Sequence, residues 1–461
     1  MYLDGTAEKS TQSQKPLHIP YVAFLACTGA LGGLLFGFDI AIITGAGPFL
    51  VRQFALTDLG LGWAFSSLLF GCVVGSLVVG KIADRYGRKR LLLADAVLFA
   101  ITSMATALAP NFTVFVIARC LGGLAVGGVS LLSPMYIAEI APSSIRGRLA
   151  TLYQLSIICG LCVSYGVNFL LRNYGADNWR WMFMTGVIPS VIFFFLISLA
   201  PETPRFLALH GRSREALRVL ERIGGAESAD SLLAEIAATA REGNGGWRQL
   251  LRPGVKRGIA VSVGLAILIQ ISGINTVVDF APVIFQSAGW KIDGALASTL
   301  VIGAVELLFT VASLFMTDRY GRRPLYIGGS IGMALSLGAL VICILLNSFA
   351  GIPVLILILA YIAFFSIGIG PVFWTIVPEI FPNDVRGMAM TIPVLMQWVA
   401  NFVVVLFFPY AFHVIGKAST FGFLTLMCVV QALFTFFLVP ETRNTHLEQI
   451  EANWLTARRE E

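Results

Sequence analysis

Long apolar runs, almost free of charge, recur along this chain from residue 20 to residue 439. Each is close to the ~20 residues that a helix needs to cross the hydrocarbon core of a bilayer. In hydrocarbon no water is present to satisfy backbone N–H and C=O groups, so runs of this kind are constrained to be helices. Composition agrees: 57% of the 461 residues are hydrophobic and 13% charged, against about 25% charged in soluble chains. Soluble, disordered and disulfide-scaffold classes are excluded. Cutting at charges and turn residues gives twelve spans, at about 20–46, 60–80, 91–109, 112–138, 150–171, 183–200, 258–287, 294–316, 325–347, 353–378, 388–411 and 417–439. The first run, Tyr21 to Gly47, is too long for a signal-peptide core and reads as a retained first span.

Charge placement orients the spans. The net charge is +6, yet no Lys/Arg tract with interleaved aromatics marks a nucleic-acid surface. With the N-terminus inside, 26 Lys and Arg residues fall in inner segments and five in outer ones, Arg52, Arg172, Arg180, Lys291 and Lys417. That asymmetry predicts a multi-pass protein with both termini cytoplasmic; the bacterial inner membrane is its expected location. Residues 1–19 and 440–461 are expected to be cytoplasmic tails, and 20–200 and 258–439 two six-helix halves. The polar stretch 201–257 carries helical patterning (Leu217, Leu220, Ile223; Leu232, Leu233, Ile236) and is expected to form a cytoplasmic helical linker. All seven cysteines lie in spans, where they behave as small hydrophobes. Cys159 and Cys162 form a C-x-x-C, but at lipid depth, where packing outweighs a redox or metal role. The four histidines lie in tails, loops or span ends. Asn111-Phe112-Thr113 matches a glycosylation sequon in a short outer loop, a signal of poor specificity.

The chain repeats itself. Asp84-Arg85-Tyr86-Gly87-Arg88 recurs as Asp318-Arg319-Tyr320-Gly321-Arg322, an offset of 234. Glu139, seven residues before Arg146, recurs as Glu379 before Arg386, and Pro201-Glu202-Thr203 recurs as Pro440-Glu441-Thr442, with offsets of 240 and 239. Two halves of like orientation are a transporter signature, with the substrate site at their interface near the membrane midplane. Together these motifs resemble the sugar porter family of the major facilitator superfamily over about residues 20 to 450. The resemblance implies an all-α membrane protein with twelve transmembrane helices in two six-helix halves.

Against so apolar a background, ionisable residues inside spans stand out. Asp39 lies in the first span with no polar residue for several positions on either side, and Arg119 in the fourth is the only basic residue deep in any span. They are expected to pair; since arginine does not deprotonate, Asp39 is the titrating member. Proton-coupled sugar porters carry Asp at this position, so the resemblance assigns proton coupling to Asp39 and Arg119; the competing reading is a static ion pair. In the seventh span, Ser272 and Gly273 weaken the helix and free backbone groups, which is tolerable where they line a cavity. The family pattern there is Q-Q-x-x-G-x-N, and the resemblance implies sugar contacts from Gln270 and Asn275, with Ile269 in place of the first glutamine. Gln154, Trp374, Gln397 and Trp398 match further family sugar-binding positions, and Phe36 of the first-span run joins them. Packing is the alternative for the tryptophans; the Gly370-Pro371 break beside Trp374 favours a ring stacked on a sugar face.

Asp279 stands where the family usually has a gate tyrosine, and Glu306 where relatives often have asparagine. Neither has an obvious basic partner. A second protonatable site, recognition of a cationic or especially polar ligand, and carboxyls held protonated as hydrogen bonders all remain open. In the loops, Asp84, Arg88, Glu139 and Arg146, with Asp318, Arg322, Glu379 and Arg386, are placed to form ion pairs at the cytoplasmic ends and gate the inner side. Simple topological anchoring explains the arginines but not the acids.

The resulting expectation is import of a monosaccharide or polyol by proton-coupled symport with alternating access. A facilitative uniporter, an antiporter, a carrier of a polar or cationic sugar-like solute and a non-transporting sensor are the alternatives. No nucleophile–base pair or metal cluster appears at membrane depth, so enzyme activity is not expected. No phosphate-binding loop is present, so nucleotide drive is not expected either. Sugar, proton and bilayer are the expected partners, with no cofactor and no nucleic acid, and the protein is expected to act as a monomer.

Overall fold

The structure, a computed structural model, describes residues 18–142, 145–225, 229–234, 236, 250, 252–381 and 385–441. Among these are twelve helical segments long and apolar enough to cross a membrane, and no strand. The first span is the longest at 36 residues, Ile19–Phe54, reaching eight residues beyond its expected end. The sixth starts early, at Asn178, because a short helix Asn178–Met184 precedes Val187–Leu199 across a kink at Thr185 and Gly186. The linker contains the helices Pro204–Leu209 and Ser213–Gly224, the second burying Ala216, Val219, Leu220 and Ile223 on one face. Most of the expected tails, and much of the linker beyond residue 225, lie outside the described residues.

Besides the sixth, two spans are broken, both in the second half. The seventh, expected as one run over 258–287, consists of Pro253–Ile271, Ile274–Asp279 and Ala281–Ser287. Gly273 sits between the first two pieces at φ +90°, a left-handed conformation that glycine adopts without penalty. The second break, at Phe280, precedes Pro282, which has no N–H to continue the ladder. The tenth span divides at Ile369 into Gly351–Gly368 and Gly370–Ile380.

Within the first half the first span packs on the fourth and fifth, and the second and third on the fourth. Between the halves, the second span meets the eleventh and the fifth meets the eighth. Exchanging the halves converts one of these interfaces into the other, as a parallel repeat requires. The backbones approach closely: a Cβ at Gly62 of the second span would run into the carbonyl oxygen of Leu406 in the eleventh. Large apolar side chains such as Leu170, Phe315, Leu335 and Phe437 are exposed on the outside of the bundle, where lipid is their solvent.

Candidate functional site

The first span is held against the fifth at Gly37, where a side chain would strike the carbonyl oxygen of Ile157. That approach sets Asp39 facing the fourth span. Arg119 Nη1 donates to Asp39 Oδ1 at 2.7 Å, and Nη1 and Nη2 also reach the Asp39 carbonyl oxygen at 3.3 and 3.4 Å. Arg119 is 2% exposed, its Nε has no hydrogen-bond partner, and its guanidinium lies 5.4 Å from the Phe183 ring centre. One carboxylate therefore compensates the arginine, and the two charges are bound together in a low-dielectric setting.

Across the interface, the break in the seventh span creates the polar patch. Gln270, in the last turn before it, accepts at Oε1 from Asn275 Nδ2 at 2.8 Å, joining the two helical pieces. The Ser272 carbonyl is freed at the break and accepts from the hydroxyl of Tyr361 on the tenth span at 2.9 Å. Tyr361 is a site residue that sequence reasoning missed, because no local signal marks a tyrosine whose partner is 89 residues away. A side chain at Gly273 would also meet Leu424, so the break is wedged from the twelfth span.

The other expected sugar contacts are placed as follows. Phe36 and Trp398 meet edge to face across the halves, ring centres 5.7 Å apart. Gln397, beside Trp398, has a buried Oε1 without a hydrogen-bond partner. Trp374 is 43% exposed and lies edge-on to Phe373. Gln154 is half-buried on the fifth span, one residue after Tyr153, whose hydroxyl is buried without a partner. Asp279 is buried at the end of Ile274–Asp279, and Glu306 is half-buried on the eighth span with its Oε2 unpartnered. A fourth intramembrane acid, Asp95 on the third span, was not singled out by sequence. It is buried beside Gly128 and its Oδ2 is unpartnered, but its closeness to the charged loop at Arg88–Arg90 hides it.

The two faces of the bundle differ. On the face opposite the linker the halves are sealed. Phe65 stacks on Phe280 at 4.3 Å, Trp63 meets Phe402 at 5.8 Å, Arg172 pairs with Asp293 at 2.9 Å, and His413 Nδ1 lies 2.6 Å from Asp58 Oδ1. His413 was read as a span-end residue; it lies in a π-helical turn, Ala411–Ile415, that prolongs the eleventh span.

On the linker face, Arg88 pairs with Asp84 at 2.9 Å and Glu139 at 3.0 Å, and Arg322 with Glu379 at 3.3 Å. Each of these pairs joins elements of one half, so none of them bridges the halves in this conformation. The side chains of Arg146, Asp318 and Arg386, expected at the same gate, lie outside those described. The repeated Pro-Glu-Thr has a role that sequence alone did not reveal. Glu202 accepts from the backbone N–H groups of Arg88 and Lys89, and Glu441 from those of Arg322 and Arg323. A carboxylate thus satisfies the first free N–H groups of the third and ninth spans, where the helix dipole favours negative charge.

A family model described as "Sugar (and other) transporter" matches residues 25–454. The arabinose-proton symporter of Bacillus subtilis is 36% identical over 97% of this chain and 100% of its own length. The D-xylose-proton symporter of Escherichia coli K12 is 36% identical over 94% of this chain and 96% of its own. Among solved structures, the partially occluded inward-open conformation of the E. coli xylose transporter XylE has a TM-score of 0.84 at 34% identity, covering 93% of this chain and 100% of that one. XylE bound to 6-bromo-6-deoxy-D-glucose has a TM-score of 0.80 at 35% identity, covering 95% and 99%.

Proposed function

This chain belongs to the sugar transporter family, within the major facilitator superfamily, and from that premise we propose that it imports a monosaccharide together with a proton. The observation that carries the reading is the 2.7 Å Asp39–Arg119 pair, buried between the first and fourth spans. Arginine stays charged, so the proton enters and leaves on the Asp39 carboxylate. Protonation removes the attraction that ties the first span to the fourth, while deprotonation restores it. That makes the pair a two-state element whose balance both proton and solute can bias.

Gln270 and Asn275 supply the sugar contacts. Each amide offers donor and acceptor to neighbouring hydroxyls, and their mutual hydrogen bond keeps them oriented before solute arrives. Gln154, Gln397, Trp374 and the Phe36–Trp398 pair complete the cavity. Aromatic faces pack on the C–H surface of a sugar while the amides read its hydroxyls. With both termini cytoplasmic, as the basic residues indicate, the sealed face is external and the conformation opens inward. The linker-face ion pairs then set each half's inner end, and reclosure brings these charged ends together as part of the inner gate. The protein sits in the bacterial inner membrane, needs no cofactor or nucleotide, and acts as a monomer.

The decisive measurement is uptake into proteoliposomes across a panel of pentoses, hexoses and inositols with an imposed pH gradient. Symport requires accumulation above equilibrium that collapses when the gradient is dissipated. Replacing Asp39→Asn should abolish accumulation while exchange of sugar across the membrane persists. Accumulation that survives this change would refute Asp39 as the coupling group, and uptake indifferent to pH would establish a uniporter.

A further inference from the structure

Asp279 and Glu306 are not needed by the mechanism above, yet both are carboxylates inside spans. Asp279 lies four residues after Asn275 on the short helix Ile274–Asp279, so the two side chains share one face, about one turn apart. Asp279 is 7% exposed and directly precedes Phe280, part of the aromatic seal. A sugar held by Gln270 and Asn275 therefore has Asp279 above it, at the sealed end of the cavity.

Glu306 approaches from the eighth span. One turn before it, Gly303 fits so closely against the fifth span that a Cβ there would lie 3.1 Å from both Cys162 Sγ and the Tyr165 ring. Tyr165 is 1% exposed and its hydroxyl has no hydrogen-bond partner among the described residues. It lies within electrostatic range of both Glu306 and Asp279, and the two acids are within range of each other. Glu306 Oε2 is also buried without a partner. Three spans thus bring together two carboxylates and a phenol oxygen. Arg119 is the one basic residue deep in any span; it is bonded to Asp39 and also lies within electrostatic range of Asp279, so one guanidinium serves more than one acid.

We propose that Asp279, Glu306 and Tyr165 form a cation-recognising subsite of the central cavity, and that the preferred solute is a sugar carrying a protonated amine. This rests on the reading of the chain as a sugar symporter. A primary ammonium has three N–H donors and accepts none. The subsite offers three side chains whose oxygens can accept. A neutral hydroxyl in the same place leaves Asp39, Asp279 and Glu306 with the single charge of Arg119 among them at lipid depth, which is unfavourable. The cation supplies the missing charge.

The test uses the full chain in proteoliposomes under a fixed pH gradient. Glucosamine, galactosamine and mannosamine are each compared with the parent hexose and the N-acetyl derivative, which keeps the nitrogen but loses the charge. The expected result is uptake of at least one amino sugar about tenfold or more above both neutral forms, in line with the strength of a charged hydrogen bond. In Asp279→Asn/Glu306→Gln, that ratio of amine to parent should fall towards one. Thermal-shift binding of the same sugars to purified wild-type and variant protein reads the preference independently of turnover.

Parent hexoses carried as well as or better than the amines would overturn the subsite while leaving sugar symport intact. The same holds for a ratio that the double variant does not change. If no sugar accumulates in response to the gradient, the sugar-symport reading itself fails.

Discussion

Asp39 in the first half and Asp279 in the second are both carboxylates carried into the membrane on helices, but their settings differ. Asp39 sits on an unbroken helix of 36 residues and meets a buried guanidinium at 2.7 Å. Asp279 ends a helix of six residues, between two breaks, with no bonded cation and with Arg119 and another acid within electrostatic range. The first half supplies an unbroken first span and a closed charge pair. The second supplies broken helices, freed backbone groups and acceptors left open. Two halves related by an internal repeat thus differ, and on the proposed function the first would handle the proton and the second the solute.

The sharpest way to break this comparison is Asp39→Asn. Accumulation driven by a pH gradient should drop to background, with counterflow of sugar retained; a variant that still concentrates sugar would remove the functional contrast between the halves. Next in size is Arg119→Gln, which leaves Asp39 buried without its cation. A loss of about 3–5 kcal/mol in stability is expected for breaking a buried pair from one side, read as a lower melting temperature in detergent. Adding Asp39→Asn to that variant should restore much of the loss.

In the second half, Gly273→Val tests whether the helix break is required. A β-branched residue at φ +90° that also meets Leu424 should cost about 1–3 kcal/mol of strain. Sugar affinity should fall about tenfold or more, because Gln270 and Asn275 lose register. Tyr361→Phe removes one hydrogen bond to the Ser272 carbonyl, worth about 1 kcal/mol. It should weaken sugar binding about fivefold with proton coupling unchanged, measured as the ratio of accumulation to counterflow.

The smallest effect belongs to the linker. The hydrogen bond from Arg212 holds the Glu215 carboxyl below its usual range. Any stabilisation from this pair is present above the ordinary carboxylate pKa and lost as the pH falls through the lowered value. Both side chains are exposed to solvent. Glu215→Gln should therefore leave transport within about twofold across neutral and mildly acidic pH.

The spans, the internal repeat and the Asp39–Arg119 pair were legible because each is written as a departure from a uniform background. A charge in a run of apolar residues needs no alignment to be seen. The Ser272–Gly273 weakness was equally plain, and the chain does break there. The linker-face arginines and acids were visible too, but not that Arg88 and Arg322 stay within their own halves. Contacts between distant segments were not legible. Asp58 and His413 are 355 residues apart, and Phe65 and Phe280 show no pattern that links them. Nor did the repeated Glu202 and Glu441 disclose that they cap the third and ninth spans, since that depends on where two helix ends happen to meet.

By itself, the sequence determined that this is a twelve-span, two-half membrane protein of the sugar transporter type, and it singled out Asp39, Asp279 and Glu306 as acids inside spans. Hydrophobic run length and charge cost in hydrocarbon act locally, residue by residue, so they can be read without coordinates. The tertiary structure decided which face is sealed, how Gln270 and Asn275 bridge the break, and that Tyr165 packs against the eighth span at Gly303, one turn before Glu306. Those outcomes depend on how helices distant in sequence pack against one another, and packing is a property of the assembled bundle.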